Sequence, residues 1–548
     1  ENIDALLSNW IETEGGEIRP ILGGDIICHA SNAVLSGGVR RAALDFIVDP
    51  NDEEMIMSKT GDWYLKNKQR ERTNNSVLLI RNLTTKEQFE KLVNLNDGMN
   101  DIGFAFANSW FDMYNPCFEI SKLPILYDGD LSLIKYEEIG AFTANHEHLF
   151  GVQGCNLNEI LAEKATTKEK FLRGCYDAAI LGTCQAGYTD MPYLGEISQK
   201  IFEKEALLGV SIIGMMNNPK IFNVEWLREG AEIVKQTNKI VSDIIGINQS
   251  ARTTTIKPGG NSSVVGMTVG GISAEEASTY FRVMQINKEN QVGQWLAENM
   301  PYMIEESVHS DSKTDYVVFV PITVNKDAIL KRDILGVKHL EYIKLVQENW
   351  VIPGTNDNLC AYKGINHNVS TTVVLGPDDK PSVIEYIWDN KDSFTAVSFL
   401  SDFGSRGWNQ APLTEIIHLE DIVSKYGKGT LFASGLIVDG LHYFNDDLWD
   451  ACNSVSNKEK PITGNREQVL LKKYWIDRAK KFAKNYFKGD LEEMIYCLKD
   501  IHLLHKWETI NKKFKSPDLS KILSKPEYKD VSDYAAIACS GPGGSCEI

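Results

Sequence analysis

Asn115, Cys117 and Glu119 stand two residues apart in Tyr114-Asn115-Pro116-Cys117-Phe118-Glu119-Ile120. In an extended loop, positions i, i+2 and i+4 share one face, so an amide, a thiol and a carboxylate converge on one spot. Pro116 stiffens the approach by fixing φ and removing a backbone donor. This combination suits thiol chemistry assisted by an acid or base; the plainer alternative is a buried cysteine between two capping neighbours. A third thiol in polar company is Cys155, in Gly154-Cys155-Asn156-Leu157-Asn158-Glu159-Ile160. The chain ends Ala538-Cys539-Ser540-Gly541-Pro542-Gly543-Gly544-Ser545-Cys546-Glu547-Ile548. Nothing bulky there can bury Cys539 and Cys546, so they read as a flexible dithiol able to exchange with a disulfide elsewhere. The alternatives are an adventitious exposed pair and a metal clip, the latter weakened because no second cysteine pair of zinc spacing accompanies it.

Two glycine-rich stretches offer ligand contacts of another kind. Thr253-Thr254-Thr255-Ile256-Lys257-Pro258-Gly259-Gly260-Asn261-Ser262-Ser263 is dense in small and hydroxyl residues. Such a loop presents backbone N–H groups and hydroxyls to a phosphate, although it is not a Walker loop and an ordinary capped turn has the same composition. Ser36-Gly37-Gly38-Val39-Arg40-Arg41 places two arginines after two glycines, which suits either a loop that closely approaches a ligand or a solvated basic turn.

The elements that must hold these residues follow an α/β order. Runs such as 76–80, 316–320 and 371–375 read as strands, and 227–244, 338–350, 414–426 and 465–487 carry apolar residues at helical spacing. The 548 residues, 43% of them hydrophobic, exceed the usual domain size and exclude a disordered chain. We expect a catalytic part over 1–464, a helical region over 465–530 and a flexible redox tail over 531–548. A net charge of −18 argues against nucleic-acid binding. No apolar run is long enough to span a bilayer, so no membrane partner and a cytoplasmic location are expected. The chain starts at Glu1 rather than Met, and the loss of an N-terminal part is expected. Cys175, Cys184, Cys360, Cys452 and Cys497 lie in apolar or helical settings and are assigned to the core.

In sequence order, Gly-Gly-Val-Arg-Arg, Arg72-Thr73-Asn74-Asn75-Ser76-Val77, Asn-Pro-Cys-Phe-Glu, Cys-Asn-Leu, Lys-Pro-Gly-Gly-Asn-Ser-Ser and the terminal cysteine pair resemble the large subunit of ribonucleotide reductases across essentially the whole chain. Gly407-Trp408-Asn409-Gln410-Ala411-Pro412-Leu413 and Tyr496-Cys497-Leu498-Lys499-Asp500-Ile501-His502 look like the adenosylcobalamin-dependent class, in its monomeric triphosphate-reducing form. The resemblance implies a ten-stranded α/β barrel of the ribonucleotide reductase and glycyl-radical type, its first strands missing here, with a central finger loop that sequesters Cys117 at its tip. It implies adenosylcobalamin as cofactor and a thiyl at Cys117 that removes hydrogen from ribose C3′. Glu119 then acts as general base on the 3′-hydroxyl, and Asn115 holds the ribose.

By the same resemblance, Cys155 is one member of the reducing thiol pair, whose partner lies upstream of Gly37. Cys539 and Cys546 re-reduce the pair and are themselves reduced by thioredoxin or a similar protein. Pro258, Gly259, Gly260, Asn261, Ser262 and Ser263 match the substrate-phosphate loop, Gly259 standing where a serine is usual. Gly37, Gly38, Val39, Arg40 and Arg41 match the loop that passes the identity of a deoxynucleotide effector to the substrate base. A separate N-terminal fragment is a further implied partner. The alternatives are a di-iron-dependent diphosphate reductase, although Tyr534 lacks the paired tyrosine of that class, and an inactive nucleotide-binding fragment. No Asp-x-His-x-x-Gly stretch is present, so the corrinoid must bind without that histidine. The interval from Cys117 to Cys155, 38 positions, is longer than in the family; its His146-Glu147-His148 reads as a surface loop, and no metal site is assigned.

Overall fold

A computed structural model describes residues 2–31, 35–36, 40–41, 43–95, 102–307, 313–402, 410–427 and 483–516, with 477, 480, 481, 518 and 522. The chain divides into two compact units, one of residues 1–275 and 325–402, the other of 276–324 and 403–548. This division does not follow the expected boundary at 464, because residues 276–324 belong with the C-terminal part.

Along the first unit run β1 (Leu35–Ser36), β2 (Arg40–Arg41), β3 (Leu44–Val48), β4 (Thr73–Ile80), β5 (Gly103–Ala107), β6 (Met113–Tyr114), β7 (Ser121–Lys122), β8 (Leu157–Leu161) and β9 (Gly209–Ile213). The second unit contributes β10 (Thr279–Asn287), β11 (Ile304–Glu306) and β12 (Asp315–Thr323). The chain then returns to the first unit with β13 (Thr372–Leu375) and β14 (Ala396–Ser401), and β15 (Leu413–Glu415) lies in the second.

β3, β4 and β5 pair in parallel. β14 joins β5 antiparallel and β13 in parallel. The segment leading into β13 bridges Ile256 in parallel through Val369, Thr254 bridges Val210 of β9 in parallel, and β9 pairs in parallel with β8. Three parallel strands are thus followed, across one antiparallel seam, by five more that run the other way. β5 and β9 are buried along their whole length, and β4 at every position but one, as expected for parallel strands covered on both faces. The α/β class is borne out. Among the described residues the outer strands β3 and β8 do not pair, so the closed ten-stranded barrel is not formed.

Helices cover the strands. Lys168–Ala186 starts at Thr167, whose side chain accepts from the Lys170 N–H, and Val224–Ile245 starts at Asn223 and ends on Gly246 in the left-handed region. The expected helix over 338–350 forms as Val337–Val346 and continues as a π-helical turn through Val351. There the Trp350 indole N–H donates to the Thr255 carbonyl at 3.0 Å, locking the wide turn onto the segment between β9 and β13.

In the second unit the sheet order is β11-β12-β10-β15, all antiparallel. Phe281, Phe319 and Trp507 pack together in its core with the helix Leu491–Lys513, so Trp507 is a packing residue; Trp408 lies outside the described residues. The expected helix over 414–426 starts only at Leu419, because Leu413–Glu415 is drawn into the sheet as β15. Most of 465–487 lies outside the described residues. His146-Glu147-His148 is not a loop: Ile139–His146 is helical, and the His146 ring stacks on Phe142 at 4.2 Å. No metal-holding cluster of His, Cys, Asp and Glu occurs among the described residues, and none of their helices is long and apolar enough to cross a membrane.

Candidate active site

The Asn-Pro-Cys-Phe-Glu segment is the tip of a hairpin whose arms are β6 and β7, with Tyr114 opposite Ser121 and Met113 opposite Lys122. The tip is a tight turn rather than an extended loop. The Phe118 N–H donates to the Asn115 carbonyl at 2.7 Å, and Asn115 spans the tip, its backbone N–H donating to Ile120 O at 3.2 Å and its side-chain Oδ1 accepting from the Ile120 N–H at 2.9 Å. Phe118 sits at φ +58°, a strained conformation for a bulky residue, and its ring stacks on Tyr114 at 4.3 Å. Convergence of amide and acid is therefore achieved by folding the chain back on itself.

The hairpin is fixed from several sides. The Glu119 carbonyl accepts from Asn368 N–H at 3.1 Å and from Thr255 Oγ1 at 2.7 Å. Ser370 Oγ donates to the Cys117 carbonyl. At the base, the Ser121 N–H donates to His367 Nδ1 at 3.2 Å, and Arg252 Nη2 donates to the Ser121 carbonyl at 3.2 Å. Because His367 Nδ1 accepts, its proton resides on Nε2, which faces the Leu208 carbonyl at 3.2 Å. Burial, with the Arg252 charge nearby, keeps this ring neutral, its pKa well below the usual histidine value. Arg252 is wholly buried and pairs bidentately with Glu205, at 2.8 and 3.2 Å.

Asn115 and Glu119 are buried, 4% and 3% exposed. Glu119 Oε2 has no hydrogen-bond partner. A buried acceptor without a donor is costly and marks a place where a ligand group fits. Burial raises the Glu119 pKa, opposed by Asn115, its own backbone N–H, Lys257 and Lys122. Cys117 is exposed, not sequestered as expected, because the tip faces an open cleft and the strands do not close around it. Protein on its remaining sides and the neighbouring Glu119 charge still push its thiol up to about 11, so it carries its proton at neutral pH. Cys155 is also exposed and is among the groups whose charge Cys117 feels; burial raises its pKa, and Lys122 opposes this.

Cys117 lines a cavity of 490 Å³ together with Asp45 of β3, Asn74 and Ser76 of β4, Asn368, Thr371 and Pro258. The size is that of a small-molecule site. Pro258 lines the same cleft as Cys117, whereas Gly259, Gly260, Ser262 and Ser263, like Asn115, Glu119 and Cys155, are not among its lining residues. Gly259 has φ +66°, and a Cβ there would lie 2.8 Å from Glu159 Oε1 and from Ile213 Cγ2, which explains why no serine stands at this position. Gly260–Gly266 is helical; the Ser263 N–H donates to Gly259 O and Ser263 Oγ donates to Gly260 O. Asn261 and Ser262 lie in its first turn.

Arg40 and Arg41 form β2, paired with Leu35 and Ser36 of β1, while Gly37, Gly38 and Val39 lie outside the described residues. So do Cys539 and Cys546, and Cys452 of the core assignment. Of the other core cysteines, Cys175 and Cys497 are buried, Cys360 is half-buried and Cys184 is exposed, since it falls on the outer side of the helix Lys168–Ala186. Sequence reasoning missed Lys122, and quoted Lys257 only as part of a motif. A lysine three residues past Glu119 and one just before Pro258 were signals that the motifs themselves overshadowed.

No family model matches the chain. It is 22% identical over 286 residues to the adenosylcobalamin-dependent ribonucleoside-triphosphate reductase of Euglena gracilis, covering 51% of this chain and 36% of that protein. It is 22% identical over 408 residues to a probable adenosylcobalamin-dependent ribonucleoside-triphosphate reductase of Dictyostelium discoideum, covering 72% and 48%. The chain thus spans between a third and a half of the length of these curated relatives. Among solved structures it is similar in fold to a B12-dependent (class II) ribonucleotide reductase, with TM-score 0.56, 16% identity, and coverage of 76% of this chain and 57% of that one.

Proposed function

We propose that this chain carries the catalytic machinery of an adenosylcobalamin-dependent ribonucleotide reductase, converting ribonucleoside triphosphates to 2′-deoxyribonucleotides. One observation carries this reading: a buried Glu119 oxygen without a donor, in the same hairpin tip as Asn115 and a protonated Cys117 thiol, the thiol itself lining a cleft with Pro258. The names of both relatives support it, and nothing in the geometry favours the di-iron alternative.

The steps use this chain's own groups. Once the Cys117 S–H has given up its hydrogen atom to the oxidant supplied by the bound cofactor, the sulfur removes hydrogen from ribose C3′ and returns it at the end of the turnover, for which a thiol that keeps its proton is the required starting form. Glu119 accepts the 3′-hydroxyl proton at its unpartnered oxygen, and Asn115 holds the sugar. The 2′-hydroxyl leaves as water, and Cys155 with a second thiol supplies two electrons and becomes a disulfide. Pro258 to Ser263 hold the triphosphate through backbone N–H groups and hydroxyls. Cys539 and Cys546 then reduce the disulfide and are re-reduced by thioredoxin or a similar cytoplasmic dithiol protein. Gly37 to Arg41 pass the identity of a bound deoxynucleotide effector to the substrate base.

When bound, adenosylcobalamin supplies the one-electron oxidant. The chain fits this at the solvent-reachable sulfur of Cys117, and no histidine lines the cavity beside it. The three-plus-five strand order agrees with a ten-stranded barrel that needs two further parallel strands beside β3.

The test is nucleoside triphosphate reduction with and without adenosylcobalamin, with a segment preceding Glu1 supplied where available. Product formation that requires the cofactor is expected; activity that depends instead on a di-iron subunit overturns the reading.

A further inference from the structure

At the base of the hairpin lies a cation that the proposed steps leave unused. Lys122 ends β7 opposite Met113. Ile120, two residues earlier and so on the same side of an extended chain, is buried and clusters with Leu157 at the start of β8. Lys122 is therefore carried toward the segment entering β8, where Cys155 sits. It is half-buried, and its ammonium makes no hydrogen bond or ion pair among the described residues. Burial lowers the Lys122 pKa, and the charges of Cys155 and Glu119 oppose this by favouring the ammonium. The groups interacting with Cys155 are Lys122, Glu119, Lys257 and Cys117. Lys257 is already engaged by Glu159 at 3.4 Å, which leaves Lys122 as the uncommitted cation at this sulfur.

We propose that Lys122 is a positioning residue for the thiol redox step, its ammonium stabilising the thiolate of Cys155 so that Cys155 is the sulfur released as an anion when the site's disulfide is reduced. This rests on the reading of Cys155 as half of a redox pair. A thiolate of the reducing dithiol attacks the partner sulfur, a new S–S bond forms, and the bond to Cys155 breaks with its electron pair on Cys155. The second thiol of the reductant then displaces the partner sulfur. The two protons of the dithiol end on Cys155 and its partner, so the reductant is oxidised and the site reduced by the same two electrons. A stabilised leaving thiolate departs faster. Burial raises the Cys155 pKa, and Lys122 is the strongest influence in the other direction, ahead of Lys257; at Cys117 the leading cation is Lys257 instead. The two thiols are thereby divided between a hydrogen donor and an anionic leaving group.

The test follows iodoacetamide alkylation of the intact chain against pH, read at the Cys155 and Cys117 peptides by mass spectrometry. Lys122→Met, and Lys122→Gln as a second variant, are expected to move the Cys155 midpoint upward. Below that midpoint they slow its alkylation by roughly tenfold, leave the Cys117 profile in place, and Lys122→Arg restores the native Cys155 profile. An unchanged Cys155 profile in folded Lys122→Met or Lys122→Gln, or equal shifts at both cysteines, overturns the proposal. A shift at Cys155 in a chain that reduces no nucleotide in the assay above keeps the electrostatic coupling and removes the reductase reading, so the two failures are told apart.

Discussion

Cys117 holds its proton because protein on most sides and the Glu119 charge disfavour the thiolate, and the hydrogen-atom transfer proposed for it needs that form. Replacing its sulfur by oxygen removes a weak S–H bond and leaves the shape, so Cys117→Ser is expected to abolish turnover to background while the melting temperature stays within a few degrees. Glu119 must be ionised to accept a proton, yet burial raises its pKa. Activity therefore falls as pH drops through that raised value, and the acid limb of kcat/KM lies above the value of about 4.3 for an ordinary glutamate. Lys257 favours the ionised form, so Lys257→Met moves the limb further upward. Glu119→Gln is expected to lower kcat by roughly 10²–10⁴-fold with no acid limb attributable to this group; an unaltered limb in that variant removes Glu119 as the base.

The hairpin from Met113 to Lys122 works only if its base does not move, and a buried ion pair holds it. Arg252 and Glu205 lie out of water, and Arg252 also grips Ser121 O. Arg252→Met strands the Glu205 charge in the interior and is expected to cost about 3–5 kcal/mol of stability. Arg252→Met combined with Glu205→Met recovers most of that loss in chemical denaturation, because no uncompensated charge remains. The double variant still loses the grip on Ser121, so its activity stays low even where its stability returns. Strand and helix identities were legible where apolar runs were long, as in β4, β12, β13 and Val224–Ile245. The register that turned Leu413–Glu415 into a strand was not, because it depends on a partner, β10, more than 120 residues away.

At the scale of the whole molecule, eight strands of the described residues run in a three-plus-five order, and the thiols proposed to regenerate the site belong to the far end of the sequence. If Cys539 and Cys546 only reset the site, Cys539→Ser and Cys546→Ser each permit one turnover of pre-reduced protein and block the next with thioredoxin as reductant. Loss of the first turnover, measured by quenched-flow product analysis, removes the exchange role. Residues 276–324 associate with the C-terminal part although sequence composition changes only after about 465. Their strands β10 and β12 pair antiparallel in the sheet that β15 completes, and their apolar residues share a core with Leu491–Lys513.

Residue order alone determined the α/β class, the amide, thiol and acid that meet at the hairpin, and the phosphate-loop candidate, because these depend on side-chain type and short spacing. Only the tertiary structure decided that the tip is a tight turn, that Cys117 is open to solvent, that Glu119 keeps a buried oxygen without a donor, and that Lys122 comes within electrostatic reach of Cys155. Each of these depends on what distant strands bring to the same point, and burial and electric field are properties of that assembled surrounding, not of any short stretch of chain.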